Sequence, residues 1–301
     1  MSIRLSEHTP GQEVTVSGAR VVAQRYRLQA LLGRGGMGRV WLAFDTTLRR
    51  AVALKQILLH GLGLADERAA DERAAAWECA LREARAAARV DHGGAVTIFD
   101  VVDDGGCPWI VMEALPGRTL REELDDAGPL PVEQVARVGL CLLDVLAQTH
   151  RAGIVHLDVK PSNVHLCDDE RVVLTDFGIA ATVAGPPSAT GTFSGSPAYI
   201  APERLDGDEV GPAADLFSLG ATLFAAAEGV APFDRGSVHD TFVAVATGAR
   251  APFRRAGRLR PVIEGLLARD PGRRPGVDEK RAALRELFRE EGTACLTGSS
   301  G

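Results

Sequence analysis

Ile154-Val-His-Leu-Asp158-Val-Lys160-Pro-Ser-Asn163 is the stretch on which the reading of this chain turns. It carries an acid at Asp158, a lysine two residues on and an amide at Asn163. In a phosphoryl-transfer site those groups have separate tasks. A carboxylate orients the attacking hydroxyl and takes its proton, an ammonium steadies the moving phosphoryl group, and an amide oxygen holds a metal ion. Taken alone, the stretch reads equally as a polar loop between an apolar helix and the short strand Val172-Val173-Leu174. Asp176-Phe177-Gly178 follows that strand, and a glycine loop and a lysine-bearing strand lie upstream in the required order.

Working outward toward the N-terminus, residues 1 to about 24 are polar, show no periodicity and read as a loose leader. Tyr26 to Leu32 alternates apolar with polar and enters Gly33-Arg-Gly35-Gly-Met-Gly38. A dinucleotide fingerprint of this spacing would open a helix. Here Arg39-Val40-Trp-Leu-Ala-Phe44 is strand-like, so the glycines sit in a hairpin whose backbone can close over phosphates without a Cβ clash. Ala51-Val-Ala53-Leu-Lys55 is an apolar strand ending in a lysine. In the helical tract that follows, Glu83 is the candidate partner of Lys55, with Glu78 as the alternative. The repeat Ala65-Asp-Glu-Arg-Ala-Ala-Asp-Glu-Arg-Ala74 in that tract reads as a solvated helix face with i,i+3 and i,i+4 ion pairs. Two strands, Thr97 to Val102 and Pro108 to Glu113, then flank a turn, and Leu115-Pro-Gly117 marks a boundary between lobes.

Beyond that boundary the character is helical. Pro131 to Arg151 carries apolar residues at helical spacing with Gly153 as a stop, a pattern that predicts a buried helix. Residues 180 to 198 are rich in Gly, Pro, Ser and Thr and too long for a simple connector. Asp215 to Ala227, Arg258 to Leu267 and Asp278 to Arg289 return to helix, and the residues from Gly292 have tail composition.

The net charge of -6 argues against a general nucleic-acid binder. No apolar run is long enough to span a bilayer, and the N-terminus lacks a signal peptide's apolar core. Five scattered cysteines without metal-ligand spacing fit a reduced, cytoplasmic protein.

The ordered set of motifs resembles the protein-kinase superfamily over roughly residues 24 to 290, and most of all the bacterial eukaryotic-like Ser/Thr kinases. The matching residues are Gly33, Gly35, Gly38 and Val40; Val52-Ala53-Leu54-Lys55; His156-Leu157-Asp158-x-Lys160-Pro161-x-Asn163; Asp176-Phe177-Gly178; and Ala201-Pro202-Glu203. Asp215-Leu-Phe-Ser-Leu-Gly220 and Asp270-Pro-Gly-Arg-Arg274-Pro275 complete it. The resemblance implies an α+β, bilobal protein-kinase fold: a mostly β N-lobe (25–113) with one regulatory helix, a hinge (113–117) and a mostly α C-lobe (118–290). A leader (1–24) and a tail (291–301) flank it.

It also implies ATP between the lobes. Gly33, Gly35 and Gly38 cover its phosphates, and Lys55, held by Glu83, contacts the α- and β-phosphates. Val40 and Ala53 pack on the adenine, Met112 is the gatekeeper, Glu113 to Leu115 offer backbone groups, and His165 lies beneath the ring. Asn163 and Asp176 bind Mg2+, Asp158 is the catalytic base and Lys160 assists it. Glu203 and Arg274 correspond to the family's buried ion pair, and Asp215 anchors the catalytic loop. The implied partners are proteins bearing Ser or Thr, with a second copy of the kinase for autophosphorylation between Ser188 and Ser194, at Thr190 or Thr192 first. Ser196 is expected against Asp158 and Lys160 as a structural hydroxyl.

Two departures stand out. The family usually has an arginine where this chain has Leu157, and an aliphatic residue where it has His165. Leu157 offers no charge to a loop phosphate, so activity is expected to depend weakly on loop phosphorylation, with the leucine packed under the loop instead. Two rivals remain: an ATP-binding pseudokinase or scaffold, and a small-molecule phosphotransferase. Many relatives carry a membrane span after the kinase, so the segment also reads as the cytoplasmic portion of a longer anchored chain.

Overall fold

A computed structural model describes residues 20–35, 38–58, 68–177, 196–207 and 210–294, without the side chains of 68–73 and 287–294. They fall into two compact units. The first holds residues 20–89, 96–117 and 167–169; the second holds 90–95, 118–166 and 170–294.

In the first unit, β1 (Val21–Val22), β2 (Tyr26–Gly35), β3 (Gly38–Asp45), β4 (Arg50–Ile57), β5 (Ile98–Asp104) and β6 (Cys107–Glu113) form one antiparallel sheet in the order β1-β2-β3-β4-β6-β5. Alternation along β2 buries Tyr26 and Leu28, which join Val22, Ala43, Val52, Leu54, Trp109 and Val111 in one apolar cluster. β1 falls within the stretch expected to be a loose leader. It pairs because Val22 is fully buried and the Ala23 N–H donates to Asp104 Oδ1 at 3.1 Å. The turn after it has Ala23 at φ 48° and Gln24 at φ 54°, with no glycine to announce it. Helix α1 (Arg68–Ala88) belongs to the same unit, and the five-residue repeat falls largely outside the described side chains. At the β3–β4 turn, Asp45 receives Arg25 Nε and Nη2 at 2.9 and 2.7 Å and the N–H groups of Thr47 and Leu48 at 3.0 Å. Arg25 first, then those backbone N–H groups, pull its carboxyl down to about 2 against the opposing effect of burial.

The second unit is organised around α5 (Pro212–Glu228), the fifth helix after α1, α2 (Leu120–Asp126), α3 (Val132–Arg151) and α4 (Glu203–Asp206). Residues 214 to 227 of α5 are all buried, the pattern of a helix enclosed on every side. Gly220 is required there: a Cβ would lie 2.7 Å from Leu266 Cβ, on α7 (Arg260–Leu266), which packs against α5. α6 (Val238–Thr247) and α8 (Val277–Ala294) complete the helices. The tail composition seen from Gly292 does not end the last helix, which continues to Ala294. A small sheet of β7 (Arg118–Thr119), β8 (Val164–Leu166) and β9 (Val172–Leu174) takes up the chain directly after the loop that carries the motif residues, which α3 precedes.

Candidate active site

In the first unit, Lys55 stands near the end of β4 with its ammonium 2.9 Å from Glu83 Oε1 on α1, and both side chains are buried. Glu78, the alternative partner, is exposed. Ala53, also on β4, is buried between Leu42 of β3 and Met112 of β6 in the sheet register. Val40 pairs with Lys55 in register. Glu113 ends β6, and its side chain accepts the Thr97 N–H at 2.9 Å; Leu115 follows it, half-buried.

The three motif glycines differ. Gly38 has φ 152°, and a Cβ there would fall 1.8 Å from Gln56 O, so the hairpin itself excludes a side chain. Gly33 and Gly35 face no atom within 4 Å of a would-be Cβ and have no special φ. Packing among the described residues therefore does not call for glycine at those two positions.

In the second unit, Asp215 lies in the first turn of α5, where a carboxylate suits the positive end of the helix. It is fully buried. Its Oδ2 accepts from the His156 N–H (2.8 Å) and meets His150 Nε2 (2.7 Å), while Oδ1 accepts from the Leu157 N–H (2.7 Å). His150, in the last turn of α3, was not singled out from the sequence. Leu157 is thereby held at φ 63°, a left-handed conformation that costs a leucine about 1–2 kcal/mol. Its side chain packs against a cluster containing Ala201, Ala214 and Phe217, whereas the loop it was expected to support, 178–195, lies outside the described residues.

Asp158 follows. Lys160 Nζ donates to its Oδ2 at 2.7 Å and Asn163 Nδ2 to the same oxygen at 2.8 Å. Asn163 Nδ2 also reaches the Asp158 carbonyl at 2.9 Å. Oδ1 of this part-exposed carboxylate takes no hydrogen bond among the described residues. Asn163 in turn accepts the Thr175 N–H at 2.9 Å through its carbonyl, which brings it to the neighbour of Asp176. Asp176 has φ 62°. Phe177 is fully buried, with its ring 4.8 Å from that of His156 in an edge-on contact. His165, on β8, pairs in register with Thr119 and Val173. Ser196 makes no hydrogen bond to Asp158 or Lys160 among the described residues; its carbonyl accepts the Tyr199 N–H at 3.1 Å. Gly178, Thr190, Thr192 and the rest of 178–195 lie outside the described residues.

Two arginines complete the surroundings. Arg274 meets Glu203 with two parallel bonds of 2.6 and 2.7 Å and donates to the carbonyls of Ala268, Ala213 and Arg269 at 2.8–2.9 Å. That fork-to-fork geometry with every remaining donor placed is what a buried ion pair needs to persist. Arg204, the next residue after Glu203, donates Nη1 to the Leu157 carbonyl at 2.6 Å. Burial lowers its pKa from the ordinary arginine value, against the opposing carboxylates of Asp158, Asp215 and Glu203. The sequence reading passed over it.

The donor set also bears on a metal. Among the described residues no cluster of three or more His, Cys, Asp or Glu is placed to hold an ion. Mg2+ does not require such a cage, because it is commonly held by one or two side chains together with substrate phosphates and water. Asn163, whose Nδ2 is committed to Asp158 and whose Oδ1 is thereby left as the oxygen donor, fits that role with the Asp176 carboxylate.

An antiparallel sheet bearing a buried lysine–glutamate pair, and a helical unit with an acid, lysine and amide on one pinned loop, are the features of a protein kinase domain. Residues 26–283 match the model of the protein kinase domain, and the chain belongs to that family, among the bacterial eukaryotic-like Ser/Thr kinases. It is 38% identical over 210 residues to the serine/threonine-protein kinase PknL of Mycobacterium tuberculosis, covering 69% of this chain and 50% of that protein. With PknK of the same organism the identity is 37% over 272 residues, covering 87% and 24%. With pkn3 of Myxococcus xanthus it is 32% over 289 residues, covering 90% and 50%. The chain thus spans half or less of the length of these relatives.

Proposed function

We propose that this domain transfers the γ-phosphoryl group of ATP to serine and threonine hydroxyls of proteins. The observation that carries the reading is the loading of Asp158: both of its donors fall on Oδ2, and Oδ1 is left to receive a substrate hydroxyl. Asp158 orients that hydroxyl and accepts its proton, and Lys160 balances the charge of the phosphoryl group in flight. Lys55, fixed by Glu83, holds the α- and β-phosphates, with the Gly33 and Gly35 backbone closing over them. Asn163 and Asp176 hold Mg2+, which when bound neutralises charge on the phosphates. Val40, Ala53, Met112, His165 and the 113–115 backbone receive the adenine. Most of the acceleration then comes from positioning and charge, consistent with a site made of pinned charged groups.

Autophosphorylation between Ser188 and Ser194 belongs to the same reading, since the loop of a second copy in transient association is at high effective concentration. The domain works in the cytoplasm, alone or as the cytoplasmic part of a longer chain; no helix among the described residues is long and apolar enough to cross a membrane. The pseudokinase alternative is disfavoured because Lys55, Asp158, Asn163 and Asp176 are all present. The test is transfer of radiolabelled phosphate from ATP to a generic acceptor protein, with and without Mg2+, followed by phosphoamino-acid analysis. Mg2+-dependent phosphoserine and phosphothreonine are expected. ATP binding without transfer would favour the pseudokinase, and phosphotyrosine alone would overturn the substrate class.

A further inference from the structure

The peptide group between Leu157 and Asp158 is gripped at both ends. Its carbonyl accepts Arg204 Nη1 at 2.6 Å, and its N–H, that of Asp158, donates to His156 Nδ1 at 3.2 Å. On the other side of Leu157, Asp215 fixes the preceding N–H at 2.7 Å. A left-handed, non-glycine residue persists only where its surroundings over-determine it. Asp215 supplies the constraint before Leu157, and Arg204 supplies the one after it. This peptide fixes the position of the Asp158 Cα, from which the side chain with its open Oδ1 projects. Arg204 Nε has no hydrogen-bond partner among the described residues, so the grip on the Leu157 carbonyl rests on Nη1.

We infer that Arg204 is a positioning residue for phosphoryl transfer, acting through the Leu157 carbonyl to aim Asp158. The inference rests on Asp158 serving as the base. It places on the helix after Ala201-Pro202-Glu203 a constitutive hold on the catalytic loop, in a chain whose residue 157 cannot pair with a phosphate. A guanidinium anchored by geometry does this without any modification of the protein. Lysine, with a shorter reach and a single nitrogen, reproduces it only in part.

The experiment measures kcat and KM for Mg-ATP in the parent, Arg204→Met, Arg204→Lys, Asp158→Asn and the Arg204→Met/Asp158→Asn double variant. Misplacing a reacting group by an ångström costs on the order of a hundredfold, so Arg204→Met should lower kcat by roughly tenfold to a hundredfold. KM for ATP should stay within about twofold, because ground-state binding is untouched. Arg204→Lys should recover part of the loss. The double variant should be no slower than Asp158→Asn alone, since residues that act as one unit are not additive. An unchanged kcat in Arg204→Met overturns the inference. So does a double variant that loses the full product of the two single effects, or a lysine variant as slow as the methionine one. If Arg204→Met does not fold, Arg204→Lys is read against the parent and against Asp158→Asn by the same criteria. A fully active Asp158→Asn protein would overturn the role of Asp158 and this inference with it; a slow Asp158→Asn beside an unaffected Arg204→Met overturns this inference alone.

Discussion

Asp215 and Asp158 hold the same loop from different surroundings. Asp215 is fully buried, both its oxygens are engaged, and its partners are two backbone N–H groups and one imidazole. Asp158 keeps 24% of its side chain exposed and takes both of its donors on one oxygen. A saturated buried carboxylate is a fixed point of the scaffold. A carboxylate loaded on one oxygen and open on the other can meet a substrate hydroxyl. The difference separates residues whose loss should unfold the unit from residues whose loss should only stop the chemistry.

The largest effect on stability is expected where a charge would be stranded. Arg274→Met leaves Glu203 buried without its partner, and chemical denaturation should show a loss of about 3–5 kcal/mol. Asp215→Asn turns an acceptor into a donor facing N–H groups. It should cost about 1–3 kcal/mol and lower both melting temperature and kcat, which would mark Asp215 as scaffold. If Asp215→Asn slowed turnover with no change in melting temperature, the division drawn above would be wrong.

A third test lies in the first unit. The folded pKa of Asp45, about 2, is below its unfolded value, so its contribution is present above about pH 4 and is lost as pH falls toward about 2. Asp45→Asn should flatten that part of the acid-unfolding profile; an unaltered profile would place the acid sensitivity elsewhere. The smallest effect is expected in the 188–194 segment. Replacing Thr190, Thr192 and Ser194 together with Ala should slow phosphorylation of an added substrate by less than about tenfold, or roughly 1.4 kcal/mol of barrier. A loss of a hundredfold would show that a phosphate-binding clamp persists elsewhere in the chain.

Much of the candidate site was legible because its chemistry demands charged residues at fixed spacings. Lys55, Asp158, Lys160, Asn163 and Asp176 announce themselves in sequence, and apolar periodicity marks α3 and α5. Short elements were harder. α2 has a capping box, with Thr119 Oγ1 accepting the Glu122 N–H and the Glu122 carboxylate reaching back to the Thr119 N–H. That Thr-x-x-Glu signal stood in the sequence and could have located the helix. Ser237, capping α6 through the Asp240 N–H, is a similar case. β1 had no such signal, because its turn uses alanine and glutamine at positive φ. Arg204 could not be read either: its role depends on one carbonyl 47 residues earlier, and no local pattern encodes that distance.

The central claim is that the open oxygen of Asp158 receives the substrate proton, and the direct measurement is the turnover and melting temperature of Asp158→Asn beside the parent. General-base catalysis contributes about a hundredfold to ten-thousandfold, so kcat should fall by at least that lower bound while the melting temperature stays close to the parent's. Asparagine can keep the Asn163 contact but cannot accept a proton at neutral pH. An Asp158→Asn protein that phosphorylates as fast as the parent would contradict the account.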